Sequence, residues 1–247
     1  MSKHLKRLAV PRQWSIPKKV KHWAPKPAPG PHAGDASIPL LLVLRDYLKV
    51  CDTAREARAI LNSRTVMVDQ RVVTDPKRSL GLMDVLTIGK LDQSWRVLLD
   101  TNGRLALAEM NKANAGWKLC RIEDKTTIHG GATQLNLHDG RNIVAKEAPY
   151  KTGDVLKVKL PEQKVMEHYP MNEGSQAFIT GGSHVGENAA ISKIEVTRDP
   201  RANLVHLKAG ELEFLTIKPY VFVVGKDKAE IRLPEERITA AKPWRMA

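Results

Sequence analysis

The sequence predicts an α+β chain that is mostly β. A small two-helix-plus-hairpin domain is followed by a central β domain and a small barrel, with an extended basic tail in front. Three observations carry this. Apolar spacing changes from helical to alternating within Ile38–Lys90. From Trp95 onward short alternating runs are punctuated by Gly, Asn and Asp turns. The first 35 residues hold cations and prolines in place of a core. The expected boundaries are a tail over 1–36, a first domain over 37–91, a central domain over 92–170, a barrel over 171–233 and a C-terminal tail over 234–247. A chain of 247 residues has room for two or three modest cores.

In the tail, Lys3, Lys6, Arg7, Arg12, Lys18, Lys19, Lys21 and Lys26 stand against Asp35 alone, among six prolines from Pro11 to Pro31. Such a segment buries too little apolar surface to fold alone and favours extended backbone. Trp14 and Trp23 lie among these cations, which suits stacking on bases or ribose while the cations meet phosphates. The tail is then expected to order on binding. The plainer alternative is a solubilising tail whose tryptophans dock on the body.

In the first domain, Pro39 opens a run in which Leu40, Leu44, Tyr47 and Leu48 recur at helical spacing, predicting one apolar stripe. Thr53-Ala54-Arg55-Glu56 has the form of a capping box, in which the threonine hydroxyl takes the amide three residues on and the glutamate reaches back. The helix it starts carries Ala54, Ala57, Ile60 and Leu61 on one side, with Arg55 and Arg58 sharing another face. Thr65–Val68 and Val72–Thr74 then alternate as a hairpin. Two short helices feeding a hairpin, with arginines on the second helix, suit RNA binding. Arg45, Lys49 and Arg64 are further candidates for the same surface. Gly81–Ile88 supplies a closing strand, and the polar Gly89–Gln93 a boundary.

These residues resemble the S-four-type RNA-binding domain through Leu44–Leu48, Thr53–Arg58, Val66–Asp69, Val72 and Asp75. Related hairpins usually place glycine where this chain has Gln70. A type I′ turn needs positive φ at both central residues, so the shape of the loop stays open. The string Ala24–His32, with Lys6-Arg7, Pro11, Trp14 and Ile38-Pro39-Leu40, is similar to the N-terminal extension of the archaeal and eukaryotic small-subunit ribosomal S-four-e family.

The central domain begins with Arg96–Asp100, a turn at Asn102-Gly103 and Leu105–Leu107, a strong hairpin signal. Ala108–Gly116 is read as a short helix with a loop, and Lys118–Ile122 and Thr133–Leu137 as strands. The string Gln134–Asn142, followed by Tyr150–Asp154, again resembles the S-four-e family. His138-Asp139 tempts a catalytic reading, but adjacent residues on one strand face opposite sides, and Asp139-Gly140 is better explained as a tight turn. Cys120 reads as a small core residue. With only Cys51 besides, and no Cys-x-x-Cys spacing, the pattern argues against a disulfide framework or a zinc ribbon.

Phe178–Gly182, Val185-Gly186 and Ile191–Val196 resemble a KOW motif, the strand-loop-strand piece of an SH3-like barrel, where glycines permit sharp bends. Glu187 stands where a basic residue is common and Ala189 where a glycine is common. Direct RNA contact through this loop, and a role as spacer or protein-docking module, stand as equal readings. No nucleotide-binding glycine loop is present. Leu204–Leu207, Glu213–Ile217 and Pro219–Lys226 extend the barrel, and Lys242-Pro243-Trp244-Arg245 closes the chain with another tryptophan among cations.

Forty Lys+Arg against twenty-seven Asp+Glu leave a net charge of +13. That excess points to a polyanionic partner. No apolar run approaches the roughly 18 residues of a membrane span, and no signal-peptide core opens the chain, so the cytoplasm is expected. The resemblance implies a structural constituent of the small ribosomal subunit that binds and orders small-subunit rRNA. Its partners would be that rRNA and neighbouring ribosomal proteins, with no membrane, no homo-oligomer, no cofactor, no metal and no catalytic residue. The alternatives are an RNA-modifying enzyme, or a KOW-type transcription or translation factor, using the same RNA-binding domain.

Overall fold

The computed structural model describes residues 4–145, 149–210, 212–226 and 228–231. Lys3 and the C-terminal tail with its Trp244 lie outside the described residues. The chain divides into two compact units, the first built on Met1–Asp100 and Arg104–Gly116, the second on Thr101–Gly103 and Trp117–Glu235. Both are rich in strands, and among the described residues helix is confined to the first unit apart from one short 3-10 turn at Lys218–Tyr220.

The first unit opens with β1 (Leu5–Lys6), which pairs antiparallel with β2 (Trp23–Ala24). This segment is not the bare extended tail that its charge suggests. Val10, Trp14 and Ile16 are buried, and the Trp14 indole donates to the Ser37 carbonyl at 2.7 Å. A few well-spaced apolar side chains are enough to pack a cationic segment onto a neighbouring core. β3 (Ser37–Pro39) pairs with β6 (Ser79–Gly81). Gly81 is required there, because a Cβ would fall 2.3 Å from the His32 ring, which Asp84 holds at 3.0 Å.

α1 (Leu40–Leu42) continues into a π-wound turn over Val43–Tyr47. Leu40, Leu42, Val43 and Leu44 are all fully buried, so this helix is enclosed on several sides where one apolar stripe was expected. α2 (Ala54–Asn62) starts at the expected capping box: the Glu56 amide donates to Thr53 Oγ1 at 3.2 Å, and Glu56 Oε2 accepts from the Thr53 amide at 3.4 Å. A cap of this kind is worth about 1 kcal/mol.

Five strands complete the unit: β4 (Val66–Val68), β5 (Arg71–Val72), β7 (Val85–Ile88), β8 (Gln93–Leu99) and β9 (Leu105–Met110), in the order β5-β4-β7-β8-β9. The boundary expected between 91 and 92 therefore falls inside a sheet, because β8 pairs directly with β7. The helix expected over Ala108–Gly116 is instead the end of β9 followed by a 3-10 turn at Lys112–Gly116.

The second unit holds two five-stranded sheets. The first contains β10 (Trp117–Thr127), β11 (Thr133–Leu137), β12 (Asn142–Ala145), β13 (Val155–Lys159) and β14 (Val165–Tyr169), ordered β12-β11-β10-β13-β14. β10 pairs β13 through its first half and β11 through its second, with a register shift between Ile122 and Asp124. Cys120, Ile122, Leu135, Leu137, Leu156 and Val158 form its core. The other sheet contains β15 (Gln176–Ile179), β16 (Asn188–Glu195), β17 (Leu204–Ala209), β18 (Leu212–Ile217) and β19 (Val221–Gly225), ordered β18-β17-β16-β15-β19.

Candidate nucleic-acid interface

α2 turns Ala57 and Leu61 into the core and leaves Arg55, on the far side, and Arg58, on the flank, exposed. Arg64 and Lys49 are also exposed, each at a left-handed backbone position, φ 58° and 54°. In the N-terminal segment Lys6, Arg12, Lys18, Lys19 and Lys21 are exposed and Lys26 is half-buried. Trp23 is 52% exposed and carries the rings of His22 and His4 at 4.7 and 5.5 Å. The register sets Trp23 opposite Lys6, so an aromatic face and a cation share one short ribbon.

Three candidates stand elsewhere. Arg7 is 1% exposed, donates through Nε to the Pro17 carbonyl at 2.6 Å and lies 3.6 Å from Asp46. Arg45 is half-buried and grips the other oxygen of Asp46 at 2.8 Å. Trp14 is 2% exposed. Arg7 and Trp14 are therefore corrected from ligand contacts to packing groups. A buried indole with its N–H satisfied has no face left for a base, and a buried guanidinium is drawn to the nearest carboxylate. The sequence carried one signal for this: Asp46 is the acid nearest the apolar run that starts at Leu40.

The hairpin loop is a left-handed turn, with Asp69 at φ 52° and Gln70 at φ 61°. Neither residue is glycine, and each left-handed position costs about 1–2 kcal/mol. Side-chain bonds hold the turn: Asp69 Oδ1 accepts from the Val85 amide at 3.0 Å, and Gln70 Nε2 donates to the Ala115 carbonyl at 3.0 Å.

The His138-Asp139 string lies just past β11, in a turn closed by Gly140 at φ 72°, and not on a strand. The expectation that the two side chains diverge is corrected: their ligand atoms, with Cys120 Sγ, lie within 4.8 Å of one another. That set has metal-ligand chemistry, but the carboxylate already has cationic company. Lys118 Nζ lies 2.7 Å and Arg141 Nε 3.0 Å from Asp139 Oδ2. Two cations on that carboxylate oppose a divalent ion there. Burial acts to raise the Asp139 pKa, but Lys118, His138 and Arg141 outweigh it and hold the carboxyl below its usual range. His138 Nδ1 accepts from the Arg121 amide at 3.2 Å, and its ring packs edge-on to Phe222. The sequence reading missed Lys118, although alternation places it on the same face of β10 as Cys120.

In the loop between β15 and β16, a Cβ at Gly181 would fall 2.7 Å from the Tyr220 ring, so glycine is needed for that close packing. Glu187 lies 3.1 Å from His184, whose ring stacks on Phe214 at 4.0 Å. Ala189 sits in β16, 2% exposed and opposite Ala177. Both departures from the KOW pattern thus have local packing partners.

The comparisons follow the same lines. The pattern of the Ribosomal family S4e matches residues 91–165, and that of the RS4NT (NUC023) domain matches residues 1–35. The small ribosomal subunit protein eS4 of Methanothermobacter thermautotrophicus is 48% identical over 233 residues, spanning 94% of this chain and 96% of that protein. The protein of the same description from Methanococcus maripaludis strain C5 is 47% identical over 241 residues, spanning 94% and 97%. The crystal structure of the 30S ribosomal protein S4e from Thermoplasma acidophilum superposes with a TM-score of 0.69 at 40% identity, covering 78% of this chain and 96% of that one. An exposed cationic surface on a mostly β chain is the footprint expected of a protein with a polyanionic partner. More narrowly, this chain belongs to the ribosomal S4e family.

Proposed function

We propose that the chain is a structural constituent of the small ribosomal subunit, where it binds and orders small-subunit rRNA. The observation that carries this is the match, over nearly the whole of both chains, to relatives described as small ribosomal subunit proteins. The net charge of +13 supplies the physical driving force, since cations that replace condensed counterions on phosphates release them to solvent. The same match leaves the modifying-enzyme and transcription-factor readings without support.

In this reading the helices and hairpin of the first unit act as an S-four-type RNA-binding domain. The sheet from β15 to β19 acts as a KOW-type barrel. Lys6, Arg12, Lys18, Lys19, Lys21, Trp23 and Lys26 form one contact region with RNA, and Lys49, Arg55, Arg58 and Arg64 another. Neighbouring ribosomal proteins complete its surroundings. Among the described residues no helix is long and apolar enough to cross a membrane, and association with the ribosome follows from the proposed role. The test is sedimentation of a native lysate at low salt. The protein should travel with the small subunit and stay there as an integral component; finding it only in ribosome-free fractions of growing cells would overturn the reading.

A further inference from the structure

The surplus of positive charge is not spread evenly along the chain. Over residues 171–233 eight Lys and Arg stand against eight Asp and Glu, so the whole surplus of +13 belongs to the rest of the sequence. A module without net charge lacks the counterion-releasing attraction that grips phosphates. Within it a recess of about 230 Å3 lies between the β15–β16 loop and the end of β18, lined by Gly182, Ser183, His184, Leu215, Ile217 and Tyr220 among others. Among the described residues no Lys, Arg, Asp or Glu lines it.

Its aromatic walls are held in place before anything enters. The Tyr220 carbonyl accepts from the Thr180 amide at 2.8 Å and from the Thr180 hydroxyl at 3.1 Å. The Tyr220 ring lies over Gly181 and Gly182, where an added Cβ would fall 2.7 and 3.6 Å from it. The His184 ring stacks on Phe214, 15° from parallel, and its Nδ1 lies 3.1 Å from Glu187. A carboxylate thus stands beside the lining ring that is able to carry positive charge, and it repels phosphate. Rings fixed in this way lose little freedom when a partner docks. Leu215 and Tyr220, 54% and 39% exposed, put apolar surface around the recess. A void of about 150 Å3 accepts a benzene-sized group, whereas small-molecule sites run to about 300–1,000 Å3. The size of this recess fits one large side chain better than a cofactor.

Resting on the function proposed above, we infer that this recess receives an aromatic or large aliphatic side chain from a neighbouring small-subunit protein. The neighbours inside a ribosomal subunit are RNA and protein, and charge decides between them. Interface cores between proteins are depleted of charge and enriched in tyrosine, as this lining is. An RNA base stacks on aromatic rings too, but its flanking phosphates would meet Glu187 and a module with no surplus of cations. Of the two readings of the β15–β16 loop, RNA contact and protein docking, docking is the one this chemistry selects. A single anchor in a preformed pocket carries a large share of the energy of such an interface.

The experiment uses assembled small subunits. Leu215 is replaced by the photoreactive p-benzoylphenylalanine, and the adduct is identified by mass spectrometry after irradiation. The expected adduct is a peptide of another small-subunit protein, joined at or beside an aromatic or large aliphatic residue. An adduct to rRNA, an adduct to this chain itself, an adduct at a segment without such a residue, or no adduct in subunits that contain the variant overturns the inference. Radical oxidation of the unmodified chain gives a second reading that needs no variant. Leu215 and Tyr220 should be oxidised at least about tenfold more slowly in the subunit than in the free protein, because a filled pocket excludes water. Equal rates overturn the inference as well. Absence of the unmodified chain from the subunit is a different result: it overturns the functional reading itself, and this inference with it.

Discussion

Gln70 shows how one residue can hold a turn that its chemistry disfavours. Its φ of 61° costs about 1–2 kcal/mol for a side chain with a Cβ. The bond from Nε2 to the Ala115 carbonyl, worth about 1 kcal/mol, offsets part of that. Gln70→Ala keeps the strain and loses the bond, so urea denaturation should show a loss of about 1 kcal/mol. Gln70→Gly loses the bond but also the strain, and should be less destabilising than Gln70→Ala. Asp139 is a second such position. Its side chain is fully buried between Lys118 and Arg141, and Asp139→Asn would leave a buried ammonium without its anion. The expected cost is roughly 3–5 kcal/mol by urea denaturation at neutral pH. Lys118, His138 and Arg141 hold the folded Asp139 pKa below the ordinary value. Its stabilisation is therefore full above about pH 4, the unfolded range, and is lost as pH falls through the depressed folded value. Wild-type stability should decline over that acid interval, and Asp139→Asn should remove this group's share of the decline.

Among the elements, α2 was legible almost completely, because a capping box and a 3.6-residue apolar repeat are both local signals. The alternating strands from Trp95 onward were legible for the same reason. What the sequence concealed was pairing across distance. Nothing local in Gln93–Leu99 says that it extends the sheet containing Val85–Ile88, so the polar Gly89–Gln93 reads as a boundary when it is a tight connection. The N-terminal segment was concealed in another way: averaged composition reads its prolines and lysines as unstructured, whereas Val10, Trp14 and Ile16 individually find a core. The exposed side of α2 carries the element's own prediction. Replacing Arg55 and Arg58 together by alanine should weaken binding to small-subunit rRNA fragments. The slope of log affinity against log salt should also flatten, by up to about 0.7–0.9 for each phosphate that is no longer neutralised. Both residues are exposed on a helix whose buried face is untouched, so the melting profile should hardly move. An unchanged slope would remove α2 from the RNA face.

For the whole molecule, the cations sort into two populations that composition alone cannot separate. Arg7 and Arg45 are turned onto Asp46 inside the first unit, and Lys118 onto Asp139 inside the second. The exposed cations of the N-terminal segment and of α2 remain for a polyanion. A map of rRNA crosslinks to the native protein within intact small subunits tests that division most directly. Crosslinks are expected at Lys18, Lys19, Lys21, Trp23, Arg55 and Arg58, with silence at Arg7, Trp14 and Lys118. Crosslinks concentrated on Arg7 and Trp14, with the α2 arginines silent, would contradict it.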